Sequence, residues 1–179
     1  MERADRIAPI SFGTSSVRCK AAGAISPPTK RCSRPPWKRI SGVDASVVVD
    51  TGPIVAMLDA DEANHDWVMS HVERLRPPLI TCEAVLTEAA FLVSRAGARA
   101  SVVPQLVTRG FVTVVKLFDD DAAEIVRLMV RYRNVPMSLA DACLVRLVER
   151  TRNATLFTLD SDFGVYRQKG RRLIPLLAP

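Results

Sequence analysis

The sequence predicts an α/β fold, a three-layer α/β/α sandwich with a mostly parallel central sheet. From residue 46 onward, short apolar runs rich in β-branched residues alternate with longer segments of helical periodicity. The pattern contains no internal repeat. In a sheet of this kind, functional sites form beyond the carboxyl ends of the strands. Polar residues that directly follow a strand are therefore the first candidates for a site.

The first half of this region predicts five elements in order. Ser46–Asp50 is a short apolar run, predicted as a buried strand, and a helix follows at Ile54–Leu58 after a Gly-Pro pair. Asp61–Leu75 shows apolar residues at helical spacing and stops before two prolines. Leu79–Thr81 then predicts a short strand and Cys82–Arg95 a helix.

The second half continues the alternation. The predicted helices lie at Ala98–Thr108, Asp119–Tyr132 and Ser138–Arg150, and the predicted strands at Phe111–Leu117, Ala154–Leu159 and Leu173–Leu177. Pro104 limits the first of these helices, and serine or aspartate caps the other two. The three acids Asp119 to Asp121 are expected to form a solvated helix start.

The chain changes character near residue 45. Residues 1–45 are rich in Ser, Pro, Gly and basic residues, and they hold nine of the 25 Lys+Arg but three of the 19 Asp+Glu. This composition predicts a disordered basic tail, or a start codon assigned too far upstream. A basic arm that touches RNA and a transit peptide are the other interpretations. Residues 46–179 form the predicted domain, which carries 16 residues of each sign and is formally neutral.

Five carboxylates occupy places where a charge is unexpected or a strand has just ended. Asp50 ends the buried strand VVVD, and Glu88 lies in mid-helix with apolar residues three and four positions away on both sides. Asp141 lies in the apolar helix SLADACLV. Asp160 follows the strand ATLFTL, and Asp162 comes two residues later. An ionised carboxylate on an apolar face is costly unless it is paired or binds a metal.

Each of these acids also has a purely structural interpretation. Asp50 precedes a helix and can cap it, and Asp141 stands near a helix start, where the dipole favours an acid. Asp160 and Asp162 lie in a turn-like segment, where aspartates form local hydrogen bonds. Glu88 can pair with a distant arginine. The functional interpretation therefore depends on the whole set.

Taken together, the acids predict a site for a hard divalent cation. Clustered carboxylates without His or Cys select Mg²⁺ or Mn²⁺. Such an ion activates water and stabilises charge on a phosphoryl oxygen. The sequence thus points to metal-assisted phosphodiester chemistry.

The same acids carry a resemblance to a known family. Asp50 in VVVDTGPIVAMLD, Glu88 in ITCEAVLTEAAFLV, Asp141 in SLADACLVRLVE and Asp160 in LFTLDSDF resemble, in order and approximate spacing, the acidic signature of PIN-domain ribonucleases. The resemblance runs from about residue 46 to 177 and omits the basic tail.

This resemblance implies an α/β/α fold, a Mg²⁺ or Mn²⁺ site and cleavage of single-stranded RNA. Asp50, Glu88 and Asp141 would form the central metal-binding trio, Asp160 the fourth acid, and Asp162 a further contributor. Thr51 would steady the site by a hydrogen bond. The resemblance to VapC-type toxins further implies a cognate antitoxin and a homodimer. The neutral domain, which lacks an obvious basic stripe, leaves the RNA-binding surface open.

Two other functions are compatible with parts of the pattern. A haloacid-dehalogenase-type phosphohydrolase also starts from a strand that ends in Asp, but it needs a second Asp where this chain has Gly52. A catalytically silent PIN-like protein-binding module would keep the fold without needing all four acids. If a protein partner exists, the apolar helix faces of Ile54–Leu58 and Val68–Leu75 are its expected contacts.

The remaining composition sets the expected environment. Cys82 and Cys143 lie in apolar contexts and are expected to be small core residues, and the four cysteines form no metal-binding or disulfide pattern. A reducing, cytoplasmic setting fits. No apolar run approaches the roughly 18 residues that span a bilayer.

Overall fold

The computed structural model describes residues 46–179. The predicted disordered tail, residues 1–45, lies outside this range. Within it, a five-stranded sheet has the strand order β3-β2-β1-β4-β7, and each pairing in this sheet is parallel. The strands are β1 (Val47–Val49), β2 (Leu79–Thr81), β3 (Val112–Val114), β4 (Thr155–Phe157), β5 (Arg167–Gln168), β6 (Arg172–Leu173) and β7 (Leu176–Leu177). The helices flanking the sheet are α1 (Thr51–Leu58), α2 (His65–Val72), α3 (Glu83–Arg95), α4 (Val102–Thr108), α5 (Phe118–Arg131) and α6 (Leu139–Arg150). The predicted α/β/α architecture is confirmed.

Strand β1 forms the centre of the sheet. Its three valines are β-branched and suit a pleated, buried surface. Val48 pairs with Ile80 of β2 on one side and with Leu156 of β4 on the other. Val48 and Val49 are completely buried. Residues that follow β1 and β4 therefore emerge side by side at one edge of the sheet.

The first two helices differ in extent from the prediction. Helix α1 begins at Thr51 rather than Ile54, because the Asp50 side chain caps it by accepting a hydrogen bond from the Thr51 amide. Helix α2 covers only His65–Val72 of the predicted Asp61–Leu75. Their apolar faces are buried in the core, as Ile54 and Val68 show. The expectation that these faces contact a partner is therefore wrong.

The start of α5 also corrects the prediction. The helix begins at Phe118, and Asp119 lies within its first turn without capping it. Asp121 is buried and bound by Arg146 and Arg150 of α6. The sequence predicted a solvated start because it does not show which distant residues pair with Asp121. Its two arginine partners lie 25 and 29 positions away.

The C-terminal region contains more structure than predicted. The expected strand Leu173–Leu177 is two strands in different sheets. Strand β6 pairs antiparallel with β5 in a hairpin, and β7 pairs parallel with β4. A 3₁₀ turn at Ser161–Gly164 was not predicted. In α4, Pro104 lies in the first turn, where its missing amide is tolerated.

The cysteines Cys82 and Cys143 are buried with free thiols, as expected. Among residues 46–179, no helix has the length and apolar character needed to cross a membrane.

Candidate functional site

An acidic cleft of about 350 Å³ lies beyond the carboxyl ends of β1 and β4. Four of the predicted site residues line it together: Asp50, Glu88, Asp141 and Asp160. They come from four separate segments of the chain, so their meeting is a product of the fold. Asp162, the fifth, is not among the lining residues. Its amide donates to Oδ1 of Asp160 at 2.8 Å from within the 3₁₀ turn.

Asp50 is the most buried of these acids, with 6% of its surface exposed. Its Oδ1 accepts from the Thr51 amide at 2.6 Å, and its Oδ2 accepts from the Thr158 hydroxyl at 2.6 Å. Burial raises its pKa to about 6, and the nearby charges of Asp141 and Glu88 push it the same way. The two hydrogen bonds oppose this rise. Asp50 is thus a capping residue and a cleft residue at once.

Glu88 reaches the cleft from α3, which packs against α1. The Thr51 hydroxyl donates to its Oε2 at 3.0 Å, which bears out the expectation that Thr51 steadies the site. Glu88 itself is exposed rather than buried among its apolar helical neighbours. Its charge therefore faces the solvent-filled cleft, and the apolar residues on either side do not enclose it.

Asp141 is fixed at the start of α6 by a capping box with Ser138. Its Oδ2 accepts from the Ser138 amide at 2.8 Å, while its own amide donates to the Ser138 hydroxyl at 3.1 Å. Burial raises the pKa of Asp141, and the charges of Asp160 and Glu88 add to the rise. The cap leaves one face of the carboxylate toward the cleft.

Thr158 is a site residue that the sequence prediction missed. It is completely buried directly after β4. Its hydroxyl donates to Asp50 and accepts from the Asp160 amide at 3.0 Å. One side chain therefore sets the relative position of two of the acids. Its only signal in the sequence is its place two residues before Asp160 at a strand end.

Two further cleft residues, Glu62 and Asn64, lie in the turns before α2. Glu62 is not among the acids predicted from the sequence, because nothing in its local sequence distinguishes it from other loop acids. With it, the residues between 46 and 179 that line the acidic cleft include five carboxylates and no basic side chain. The cleft is therefore strongly anionic and suited to a cation.

Tyr166 is a buried residue whose hydroxyl interacts electrostatically with Asp141, Asp160 and Asp162. It is completely buried, and its hydroxyl has no hydrogen-bond partner among the described residues. Its ring packs edge-on against Tyr132 and Phe163. Burial raises its pKa, and the charges of Asp141, Asp162 and Asp160 act in the same direction. The phenol thus stays neutral next to the acids.

The donor set fits a hard divalent ion. All candidate ligands are carboxylate oxygens, which Mg²⁺ and Mn²⁺ prefer. Within residues 46–179, no three acidic, His or Cys side chains are arranged to coordinate one ion together. Mg²⁺ commonly keeps several waters and takes only one or two carboxylates from the protein. A pair of these acids with water therefore meets its requirements.

Comparison with known proteins places the fold in a family. Residues 47–169 match the PIN domain family. Ribonuclease VapC26 of Mycobacterium tuberculosis is 30% identical over 120 residues, which are 64% of this chain and 86% of that protein. The crystal structure of VapC20 from the same organism, described as a toxin that cleaves the sarcin-ricin loop, has a TM-score of 0.61 and 24% identity. It covers 67% of this chain and 94% of its own and supports the fold. The predicted resemblance is confirmed: the chain belongs to the PIN domain family.

Proposed function

We propose that this protein is a divalent-metal-dependent endoribonuclease that cleaves single-stranded RNA and serves as the toxin of a toxin–antitoxin pair. The observation that carries the proposal is the meeting of Asp50, Glu88, Asp141 and Asp160 in one cleft of a PIN fold. The ribonuclease name of its curated relative supports the same activity. No observation favours the phosphohydrolase alternative.

In this proposal Mg²⁺ or Mn²⁺ would be held by water and a pair of carboxylates drawn from Asp50, Glu88, Asp141 and Asp160. Asp162 would contribute from its position beside Asp160. When bound, the ion supplies Lewis acidity and a more acidic water for attack on the phosphodiester. The chain itself supplies the arrangement of the acids. Thr51 and Thr158 hold two of them by hydrogen bonds that are present before any ligand arrives. The raised pKa of Asp50 also makes ion binding compete with protons in this cleft.

A cognate antitoxin is the proposed protein partner. Phe91 and Leu92 on α3 are exposed, and Leu92 also lines the acidic cleft. An apolar segment of a partner that covered these side chains would lie over the cleft entrance. A partner arginine placed among the carboxylates would compete with metal for the same oxygens. Antitoxin that binds without altering cleavage would contradict this mode of inhibition.

A homodimer and a cytoplasmic location complete the proposal. Both rest on the resemblance to VapC-type toxins. Light scattering on the purified chain tests the first, and a monomer at micromolar concentration would contradict it. Fractionation of cells that express the chain tests the second.

The test of catalysis is cleavage of labelled single-stranded RNA by the full chain with Mg²⁺, with Mn²⁺ and with EDTA. Asp50→Asn and Glu88→Gln are the site variants. Glu83→Gln is the matched control, because Glu83 is an exposed acid on the same helix as Glu88 but does not line the cleft. We expect cutting only with metal, a loss of at least about 100-fold in both site variants, as for removal of a group that stabilises transition-state charge, and normal activity in Glu83→Gln.

Two results would contradict the proposal. Folded wild-type protein that does not cut RNA with either metal would favour the silent protein-binding module. Cutting that persists in EDTA and in both site variants would move the activity away from this cleft. Circular dichroism of each variant shows whether the fold is retained.

A further inference from the structure

A second cavity, of about 530 Å³, lies at the opposite end of β4 from the acidic cleft. It is bounded by the last turn of α6, the loop Thr151–Ala154 and the β5–β6 hairpin. Its charged lining consists of Arg150, Arg152, Lys169, Arg172 and Glu149. Four of the 16 basic residues in 46–179 thus surround one concave surface. We call it the basic cavity.

Ion pairs within the fold neutralise only part of this charge. Glu149 is bound to Arg146 at 2.7 Å and also accepts from the Lys169 amide at 2.5 Å, and Arg150 is bound to Asp121. Within residues 46–179, Arg152, Lys169 and Arg172 form no ion pair. Three cations therefore line the basic cavity without an ion-pair partner among residues 46–179, and the one carboxylate of the lining, Glu149, is bound to Arg146.

The end of α6 does not explain the cluster. Cations near a helix C-terminus offset the helix dipole, and Arg150 and Arg152 are placed to do so. Lys169 and Arg172 come instead from the hairpin and add to a charge that the helix end already balances. The fold thus gathers exposed like charges at one place, where their combined field attracts an anion.

Two loops that line the basic cavity contain residues with a left-handed backbone conformation. Asn153 and Lys169, both of which line it, have φ values of 52° and 48°. Asn adopts this left-handed region more readily than other residues with a Cβ, and here it forms the turn before β4, while Lys169 begins the tight turn between β5 and β6. The Glu149 bond to the Lys169 amide ties the hairpin to α6. The walls of the cavity are therefore fixed relative to each other.

The charge of the acidic cleft disfavours RNA binding, whereas the charge of the basic cavity favours it. The described part of the chain lines the cleft with five carboxylates and no cation, and these charges repel the phosphates of RNA before metal binds. Affinity for a nucleic acid comes largely from cations that contact its phosphates. Ala154 lines the basic cavity and Asp160 the cleft, and the six residue steps between them span at most about 20 Å at ~3.3 Å per residue of extended chain.

We propose that the basic cavity binds a backbone phosphate of the RNA substrate at a distance from the acidic cleft. The phosphate oxygens accept hydrogen bonds from Arg152, Lys169 and Arg172. The site therefore recognises the charge of the RNA backbone and not the base sequence. This inference rests on the proposed ribonuclease function. It assigns substrate affinity to one end of β4 and bond cleavage to the other.

The test compares RNA binding by the full chain and by Arg152→Gln/Arg172→Gln. Fluorescence anisotropy with labelled single-stranded RNA is measured in EDTA, which separates binding from metal-dependent cutting, between about 50 and about 200 mM salt. The matched control is Arg74→Gln/Arg76→Gln, which removes two exposed arginines that do not line the basic cavity. Each protein keeps residues 1–45, so any binding by the basic tail is common to all three.

We expect the cavity variant to bind about tenfold more weakly at low salt, with a slope of log K against log salt smaller by about 0.7 for each phosphate that it no longer neutralises. Its KM for RNA rises while kcat is unchanged. The control variant stays within twofold of wild type. Equal affinity and equal slope in wild type and cavity variant would overturn the inference, even where RNA is still cut. A wild-type chain that binds RNA through the cavity but never cuts it would contradict the proposed function alone.

Discussion

At the scale of single residues, the hydroxyl of Thr158 links the carboxylate of Asp50 to the backbone of Asp160. It donates to Asp50 and accepts from the amide of Asp160. Because Thr158 is completely buried, its hydroxyl makes these bonds out of contact with bulk solvent. One oxygen atom therefore contributes to the positions of both residues.

Thr158→Val should destabilise the protein by about 1–3 kcal/mol, since it leaves the buried Asp50 Oδ2 without its donor. The pKa of Asp50 should rise further, because the bond that is removed is one that lowers it. Urea unfolding measures the stability, and RNA cleavage at neutral pH the effect on the site. Thr158→Ser keeps the hydroxyl and should retain activity. Equal stability of the Val and Ser variants would show that the bond contributes nothing.

Asp50 should make the metal-free protein less stable as the pH rises. Its pKa is about 6 in the fold against an ordinary 3.8, so the folded state binds its proton more tightly than the unfolded state. This contribution is fully present below about pH 4 and is lost as pH rises through about 6, a change of about 3 kcal/mol. Urea unfolding in EDTA from pH 4 to 7 measures the change. Asp50→Asn should flatten this part of the profile, and an unchanged profile in that variant would contradict the assignment.

At the scale of elements, the contact between α5 and α6 depends on a buried acid. Asp121 in the first turn of α5 is bound by Arg146 and Arg150 of α6. These bonds hold the pKa of Asp121 below its usual range against the effect of burial. Since Asp141 lies at the start of α6, the pairing also helps to fix the helix that carries a cleft residue.

Asp121→Ala should lower the free energy of unfolding by about 3 kcal/mol, because it leaves two arginines without their buried partner. Its exposed neighbour Asp120 is the control, and Asp120→Ala should change stability by less than about 0.5 kcal/mol. Thermal or urea unfolding distinguishes the two. A similar small effect in both variants would mean that the arginines are satisfied by solvent.

The ends of elements show what a single sequence can and cannot predict. The capped start of α6 was predicted, because Ser138 and Asp141 are three residues apart and carry the signal locally. The burial of Asp121 was not predicted, because its partners belong to another helix. The split of the last strand was also missed, since β6 and β7 differ only in the distant strands that they pair with.

At the scale of the whole molecule, the topology of the sheet assembles the site. The order β3-β2-β1-β4-β7 places β1 next to β4, so Asp50 and Thr158 meet although 108 positions separate them. Helices α3 and α6 add Glu88 and Asp141. The four acids could be predicted from their order and their unusual surroundings. Thr158 and Glu62 could not, because an ordinary threonine or loop acid has a role here only through its neighbours in space.

Because negative charges are concentrated in one cleft, we expect a bound divalent ion to increase the stability of the folded protein. An ion that binds only the folded protein should stabilise it by about 2.7 kcal/mol at 100 times its Kd. Differential scanning fluorimetry with Mg²⁺ or Mn²⁺, against EDTA, measures this as a rise in Tm. The rise should be abolished in Asp50→Asn/Asp141→Asn. The same rise in that variant would place the bound ion elsewhere.

Strand β7 contributes no side chain to the acidic cleft, yet the carbonyl of Leu177 accepts the amide of Thr158 at 3.1 Å. A four-residue truncation after Pro175 would therefore remove an anchor of the threonine that holds two acids of the cleft. It would also leave one side of β4 with unsatisfied backbone groups, which favour association with other chains. Forms of this protein shortened in this way would thus combine weakened activity with a tendency to aggregate, although every acid remained in place.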